Sequence, residues 1–226
     1  MKLQFLRSSH PVEVHSARPL VYQFENQKLF SRVVQSLVSE RGEESIEPYV
    51  IWDDKGRLVN PKKAFVLFNA LPCIPLDDSL LKALFQKIEI LFNEVSELKS
   101  SIQDIWGQLQ DLVEGTNLGY NGCYSFGRDF NLTKVLKLFG YTPSVDLGNE
   151  LLDNCMSFFD LCADVQLEKP IVFVNAFRFF TDIELKLLYE KAIFNKIPLL
   201  LLESGLNCRT VCNEQYIMVD QHFIEY

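Results

Sequence analysis

Residues 169–203 read KPIVFVNAFRFFTDIELKLLYEKAIFNKIPLLLLE. Ile171–Phe177 is a nearly unbroken apolar run, and Pro170 marks its start. Such a run suits a strand buried on both faces, as in a parallel sheet. Thr181-Asp182-Ile183-Glu184 follows. That is a capping box, in which the Thr hydroxyl and the Glu carboxylate satisfy free backbone N–H groups at a helix start. The helix runs to about Phe194, and Pro198–Leu202 is another buried strand. Strand, helix and strand in this order predict a right-handed parallel crossover. The chain is therefore read as α/β.

Working outward, Arg209–Met218 predicts an edge strand. Upstream, Ala64–Leu71 is a further apolar run between Lys63 and Pro72. It is read as a strand buried on both faces. Lys2–Leu6 and Val12–His15 predict a hairpin. Arg18–Phe24 is a strand, with Pro19 favouring an edge or a strand start. Leu29, Val33, Val34, Leu37 and Val38 mark a helix within Glu25–Glu40, with Arg41-Gly42 as its stop. Tyr49–Trp52 is a strand, with a turn at Asp53–Gly56.

Between the apolar runs lies a different pattern. Leu81, Leu84, Ile88, Leu91, Val95, Leu98, Ile102, Ile105, Leu109 and Leu112 are spaced by alternating steps of three and four. That is a heptad seam. As one helix it would span roughly 48 Å. The alternatives are a long arm, a hairpin bent near Asn93–Ser96 where helix propensity is weakest, and a helix packed in a core. Asp77, Asp78 or Ser79 can cap its start. Thr116–Gly127 holds three of the ten glycines and reads as a loop. Asn131–Phe139 is a short helix with Leu132, Val135, Leu136 and Phe139 inward, Lys134 and Lys137 outward, and Gly140 as its stop. Another helix starts at Asp146 or Asn149. The reading is a split α/β head (1–75 and 166–226) interrupted by a helical leg (76–165).

Composition narrows the function. The 226 residues carry a net charge of −8, so nucleic acid could bind only through a local basic patch. Two patches stand out. Lys55, Arg57, Lys62 and Lys63 fall within nine residues, and Arg128, Lys134 and Lys137 form a second group. The six cysteines include no CxxC pair, and no histidine stands near Cys208 and Cys212 to complete a zinc site. They read as buried thiols. His10, His15 and His222 lie near the termini, and no GxSxG elbow occurs. No run of 18 apolar residues and no signal-like segment is present, which predicts a cytoplasmic protein with no membrane partner.

The layout invites comparison with P-loop nucleotidases, without their chemistry. The loop after the first buried run, Pro72–Asp78, has no glycine and no Gly-Lys-Ser/Thr to cradle a phosphate. The later run ends in Asn175-Ala176 rather than paired acids. No enzymatic activity and no nucleotide are expected.

Lys169–Ala176, Phe179–Asp182 and Pro198–Glu203, with Leu132–Tyr141, together resemble the Csn family of subtype II-A CRISPR systems, ring-forming spacer-acquisition proteins. The resemblance covers the whole chain. It implies a P-loop-nucleotidase-like head with a mainly parallel sheet, no phosphate-binding loop, and a helical leg insertion. It implies a non-enzymatic homotetrameric ring with a basic lumen that binds double-stranded DNA, especially at ends. Partners would be the RNA-guided effector nuclease and the spacer integrase complex. Lys134, Lys137, Arg128, Lys62 and Lys63 are the candidate DNA contacts. The resemblance also implies calcium bound by acids after the arm. Here Gly115–Asn131 keeps only Asp129, with Glu114 just before it. Calcium takes six to eight oxygen ligands, so carbonyls or another subunit would have to complete that site. The competing reading is a protein-interaction scaffold that uses the heptad arm and ignores DNA. A third is a divergent nucleotidase.

Overall fold

A computed structural model describes the chain except residues 7, 9, 69–70, 72–73, 75–77, 117–121, 123–129, 144–148, 206–208, 212–213, 223 and 226. It divides into an α/β unit, Met1–Leu76 with Ser144–Tyr226, and a helical unit, Asp77–Pro143.

The strands of the α/β unit are β1 (Lys2–Phe5), β2 (Val12–Glu13), β3 (Leu20–Phe24), β4 (Tyr49–Trp52), β5 (Val66–Phe68), β6 (Ile171–Val174), β7 (Leu199–Ser204) and β8 (Gln215–Val219). They form two sheets: a three-stranded one ordered β2-β1-β4 and a five-stranded one ordered β5-β6-β7-β3-β8. The first is antiparallel and the second parallel at every pairing. Ile171 pairs with Leu199, as the crossover reading requires.

Both faces of the parallel sheet are covered, which is why β6 is apolar throughout. On one face Leu20, Tyr22, Val172, Val174, Leu200 and Leu202 share a core with the small sheet and with helix α1 (Gln27–Ser39). On the other, Phe173 meets Phe68, Phe159 and Phe180 at centroid distances of 4.6, 6.3 and 6.5 Å. Helix α5 (Leu151–Asp164) supplies Phe158 and Phe159 to that face, and α6 (Asp182–Phe194) is the crossover helix. The capping box at Thr181 and Glu184 is formed in both directions.

Several expectations change. Of the two places that Pro19 favours, the strand start holds and the edge does not: Leu20–Phe24 lies between β7 and β8, with all five residues buried. Pro19 precedes it, where a missing donor costs nothing. Among the described residues of the run at 64–71, Val66–Phe68 is strand, and it lies at the sheet edge with Leu67 half-buried. Helix α1 ends on Glu40, which takes the left-handed conformation (φ 54°) expected of a glycine. Gly42 (φ +59°) serves the next turn, where an added Cβ would sit 2.9 Å from Pro61 Cγ. The helical block closes at Pro143 rather than 165, because α5 places its phenylalanines on the head sheet.

The heptad stretch is not one helix. Within the helical unit, α2 (Asp78–Glu94) and α3 (Ser96–Gly115) meet at Val95, which is extended (ψ 91°). Phe92 and Trp106 each lie 5.8 Å from the Phe130 ring. Their centroids are thus no more than about 12 Å apart, whereas fourteen residues of straight helix would separate them by about 21 Å. The run bends back at the weak point the sequence marks. Leu80, Phe85 and Phe92 are the buried side chains of α2, and α3 has none. None of the ten seam residues is buried. Ile105 is 64% and Leu112 72% exposed.

Candidate nucleic-acid interface

The carboxyl ends of the parallel strands are the usual ligand side of an open α/β sheet. Here their polar groups bind one another. Ser204 Oγ donates to Asn175 Oδ1 (2.8 Å). Glu203, 2% exposed, accepts from the Phe177 N–H (3.1 Å). Gln23 donates to Gly205 O (2.6 Å) and accepts from the Tyr216 hydroxyl. Arg209 binds Asp182 (2.5 Å) and the carbonyls of Phe177 (2.7 Å) and Phe180 (2.9 Å), and lies over the Phe177 ring. These contacts fasten the turn Ala176–Arg178 to the sheet. Most of the expected nucleotidase-like loop, Pro72–Asp78, lies outside the described residues.

Burial raises the Glu203 carboxyl to about 7, against the lowering effect of the Phe177 and Ala176 amides and of Arg209 and Arg178. It holds its proton more tightly folded than unfolded. Its contribution to stability is therefore present at low pH and lost as pH rises from 4.5 through about 7. Thermal melts should show this directly. The melting-temperature advantage of the wild type over Glu203→Gln should shrink from pH 5 to pH 8. An advantage independent of pH would mean the group does not titrate there.

The helical unit holds a basic groove. It lies between α2 and helix α4 (Leu132–Leu138). Asn131 caps α4 by accepting from the Lys134 N–H (2.8 Å). Leu132, Val135 and Leu136 are half-buried, and Lys134 and Lys137 are exposed one turn apart. Phe139 was expected inward but is 81% exposed. Helix α4 ends at Leu138, so Phe139 falls past the packed face. Gly140 (φ +66°) turns the chain, its N–H donates to Lys137 O (3.1 Å), and Tyr141 N–H donates to Leu136 O (2.9 Å). That closure resembles a Schellman motif and holds the Tyr141 backbone. Lys82 of α2 lines the same groove as Lys134, Lys137 and Tyr141. Two acids, Asp78 and Glu89, also line it. Along α3 the described cation is Lys99, against Glu97, Asp104, Asp111 and Glu114.

The other predicted residues are dispersed. Lys62 and Lys63 are exposed on a 3₁₀ turn of the α/β unit, where Asn60 caps Lys62 N–H (3.0 Å). Lys63 lines a groove of mixed charge, with Lys55, Arg57 and Lys169 beside Asp53, Asp54 and Glu168. Arg57 is tied to Asp53 (2.6 Å). Arg128 and Asp129 lie outside the described residues. Glu114 is exposed on the last turn of α3, and no cluster of three or more metal-binding side chains occurs among the described residues. Of the two candidate acids Glu114 is the one described, and a calcium site needs more oxygen ligands than it offers by itself. Lys82 and Tyr141 were missed as site residues. Lys82 stands 52 residues from Lys134, outside any local basic run, and packing alone brings it near.

Cys155 and Cys162 are buried free thiols, each pushed up to about 12 by burial, and so inert. No helix among the described residues is long and apolar enough to cross a membrane.

Comparison with known proteins gives three findings. The profile of a family described as CRISPR-associated protein (Cas_Csn2) matches residues 44–223. A protein named CRISPR-associated protein Csn2, from Enterococcus faecalis, is 21% identical over 227 aligned residues, spanning 100% of this chain and 99% of that one. The crystal structure of Stu0660 of Streptococcus thermophilus superposes with a TM-score of 0.57 at 14% identity, covering 97% of this chain and 74% of that one. At that identity the likeness speaks to the fold alone.

Proposed function

The chain belongs to the Cas_Csn2 family of CRISPR-associated proteins, and from that premise we propose that it is a non-enzymatic, double-stranded DNA-binding protein of CRISPR adaptation that works as a homotetrameric ring. The observation that carries this reading is the convergence of Lys82, Lys134 and Lys137 on one groove in a unit whose other long helix, α3, is dominated by acids. An acidic exterior with a basic interior surface reconciles a net charge of −8 with phosphate binding. The unburied heptad seam supports assembly. Leu98, Ile105, Leu109 and Leu112 are exposed at helix-face spacing, and a second copy of the seam would cover them. In this reading the head is a P-loop-nucleotidase-like domain without its phosphate loop, the location is cytoplasmic, and the wider partners are the RNA-guided effector nuclease and the spacer integrase complex.

The scaffold reading draws on the same exposed seam and dispenses with DNA. A sizing column with light scattering, run beside a duplex titration, separates the two. The ring reading expects four times the chain mass of 26.1 kDa and an affinity for linear duplex that falls steeply as salt rises. Affinity flat across salt overturns the phosphate model, and a tetramer that ignores DNA leaves the scaffold.

A further inference from the structure

The lysines of the α2/α4 groove cover only a short window of a DNA backbone, closely flanked by acid. Asp78 and Glu89 stand eleven residues apart on α2, about 16 Å by helix rise. Lys82 lies between them in sequence, and Lys134 and Lys137 face it from α4 with Cβ atoms about 5–6 Å apart. A duplex can set a phosphate or two of its end in this window, but beyond it the backbone would run past both acids. One extended strand would place about two or three phosphates inside the window, because a positive groove of this kind tracks a single backbone.

Tyr141 points the same way. It lines the groove, is 50% exposed, and is held by the hydrogen-bonded closure after α4. An open aromatic ring beside lysines, on a backbone held by that closure, is a stacking platform. Bases inside a duplex are already stacked and cannot use it, whereas an unpaired base can. We propose that this groove holds a short single-stranded tail at a DNA end, with phosphates on Lys82, Lys134 and Lys137 and a base stacked on Tyr141. The proposal rests on the DNA-binding reading above and adds the form of the end.

The test compares three probes at one salt concentration: a blunt duplex, the same duplex with a four-nucleotide 3′ or 5′ tail, and that tail sequence as a free single strand. A 2-aminopurine in the tail reports stacking. The tailed duplex should bind about tenfold tighter than the blunt one, the scale of one base stacked on an aromatic ring. Its 2-aminopurine fluorescence should fall on binding. Tyr141→Phe should keep both effects. Tyr141→Ala, checked for an unchanged thermal melt, should bring the tailed probe to the blunt level. Equal affinity for blunt and tailed duplex with unquenched 2-aminopurine overturns the proposal and leaves duplex binding intact. Binding of tailed and free strands with no binding of blunt duplex upholds it and overturns the duplex reading. No binding of any probe overturns both.

Discussion

Replacing Lys134 and Lys137 together by glutamate is expected to weaken binding of linear duplex about thirtyfold at 0.15 M salt, and to flatten the slope of log affinity against log salt by about two. Both numbers come from one cause. Each phosphate neutralised releases condensed counterion, so losing two contacts removes two increments of salt dependence. Assembly should survive, because the two lysine side chains are exposed while Leu132, Val135 and Leu136 are half-buried in the packing of α4. Anisotropy titrations at four salt concentrations, with light scattering of the same sample, provide the measurement. An unchanged slope in an intact tetramer would take these lysines off the DNA. Lys62→Glu with Lys63→Glu should do less, since Lys63 shares its groove with Asp53, Asp54 and Glu168.

A relaxed closed circle should be bound far more weakly than the same DNA cut once. A closed ring admits duplex only through an end unless its subunits part. Pro72–Asp78 lacks a phosphate-cradle sequence, so in the proposed ring nucleotide hydrolysis is not expected to drive opening. The protein is expected to load at ends, slide and leave the same way. The circle should then show only non-specific contact, a dissociation constant of about 1–100 µM at physiological salt. Bulky proteins fixed to both ends of a linear fragment should block loading. Equal affinity for circle and linear form would replace the ring with a surface-groove binder.

Residues 169–203 were legible because their signals are local. Apolar runs mark β6 and β7, and the Thr181–Glu184 box marks the start of α6 without help from the rest of the chain. The bend at Val95 was half legible: weak helix formers marked Asn93–Ser96, but only Phe130, packed beside both Phe92 and Trp106, shows which alternative wins. The centre of the sheet was not legible. Nothing in Leu20–Phe24 states that its neighbours are residues 199–204 and 215–219. Burial on α2 fell at Leu80, Phe85 and Phe92, off the heptad seam, so periodicity found an apolar face without saying what covers it. Lys134 and Lys137 could be placed together from helix spacing, while Lys82 could not, for want of any local signal.

The strand order has a consequence for how the chain is made. Leu20 pairs with Leu200 on one side and with Gln215 on the other. About 180 residues separate the first pair, a gap that takes roughly 9–36 s to synthesise at 5–20 residues per second. Throughout that interval Leu20–Phe24, apolar but for Gln23 and buried at every position in the finished fold, has neither neighbour. Asp77–Pro143 emerges meanwhile and can close on its own contacts, since helices and short loops form within microseconds. On the ribosome the order is thus expected to reverse: the insertion can mature first, while the head that encloses it in sequence is complete only when its last strand arrives. A nascent chain paused before Gln215 presents an unpaired, apolar strand edge, the feature that draws chaperones and seeds aggregation.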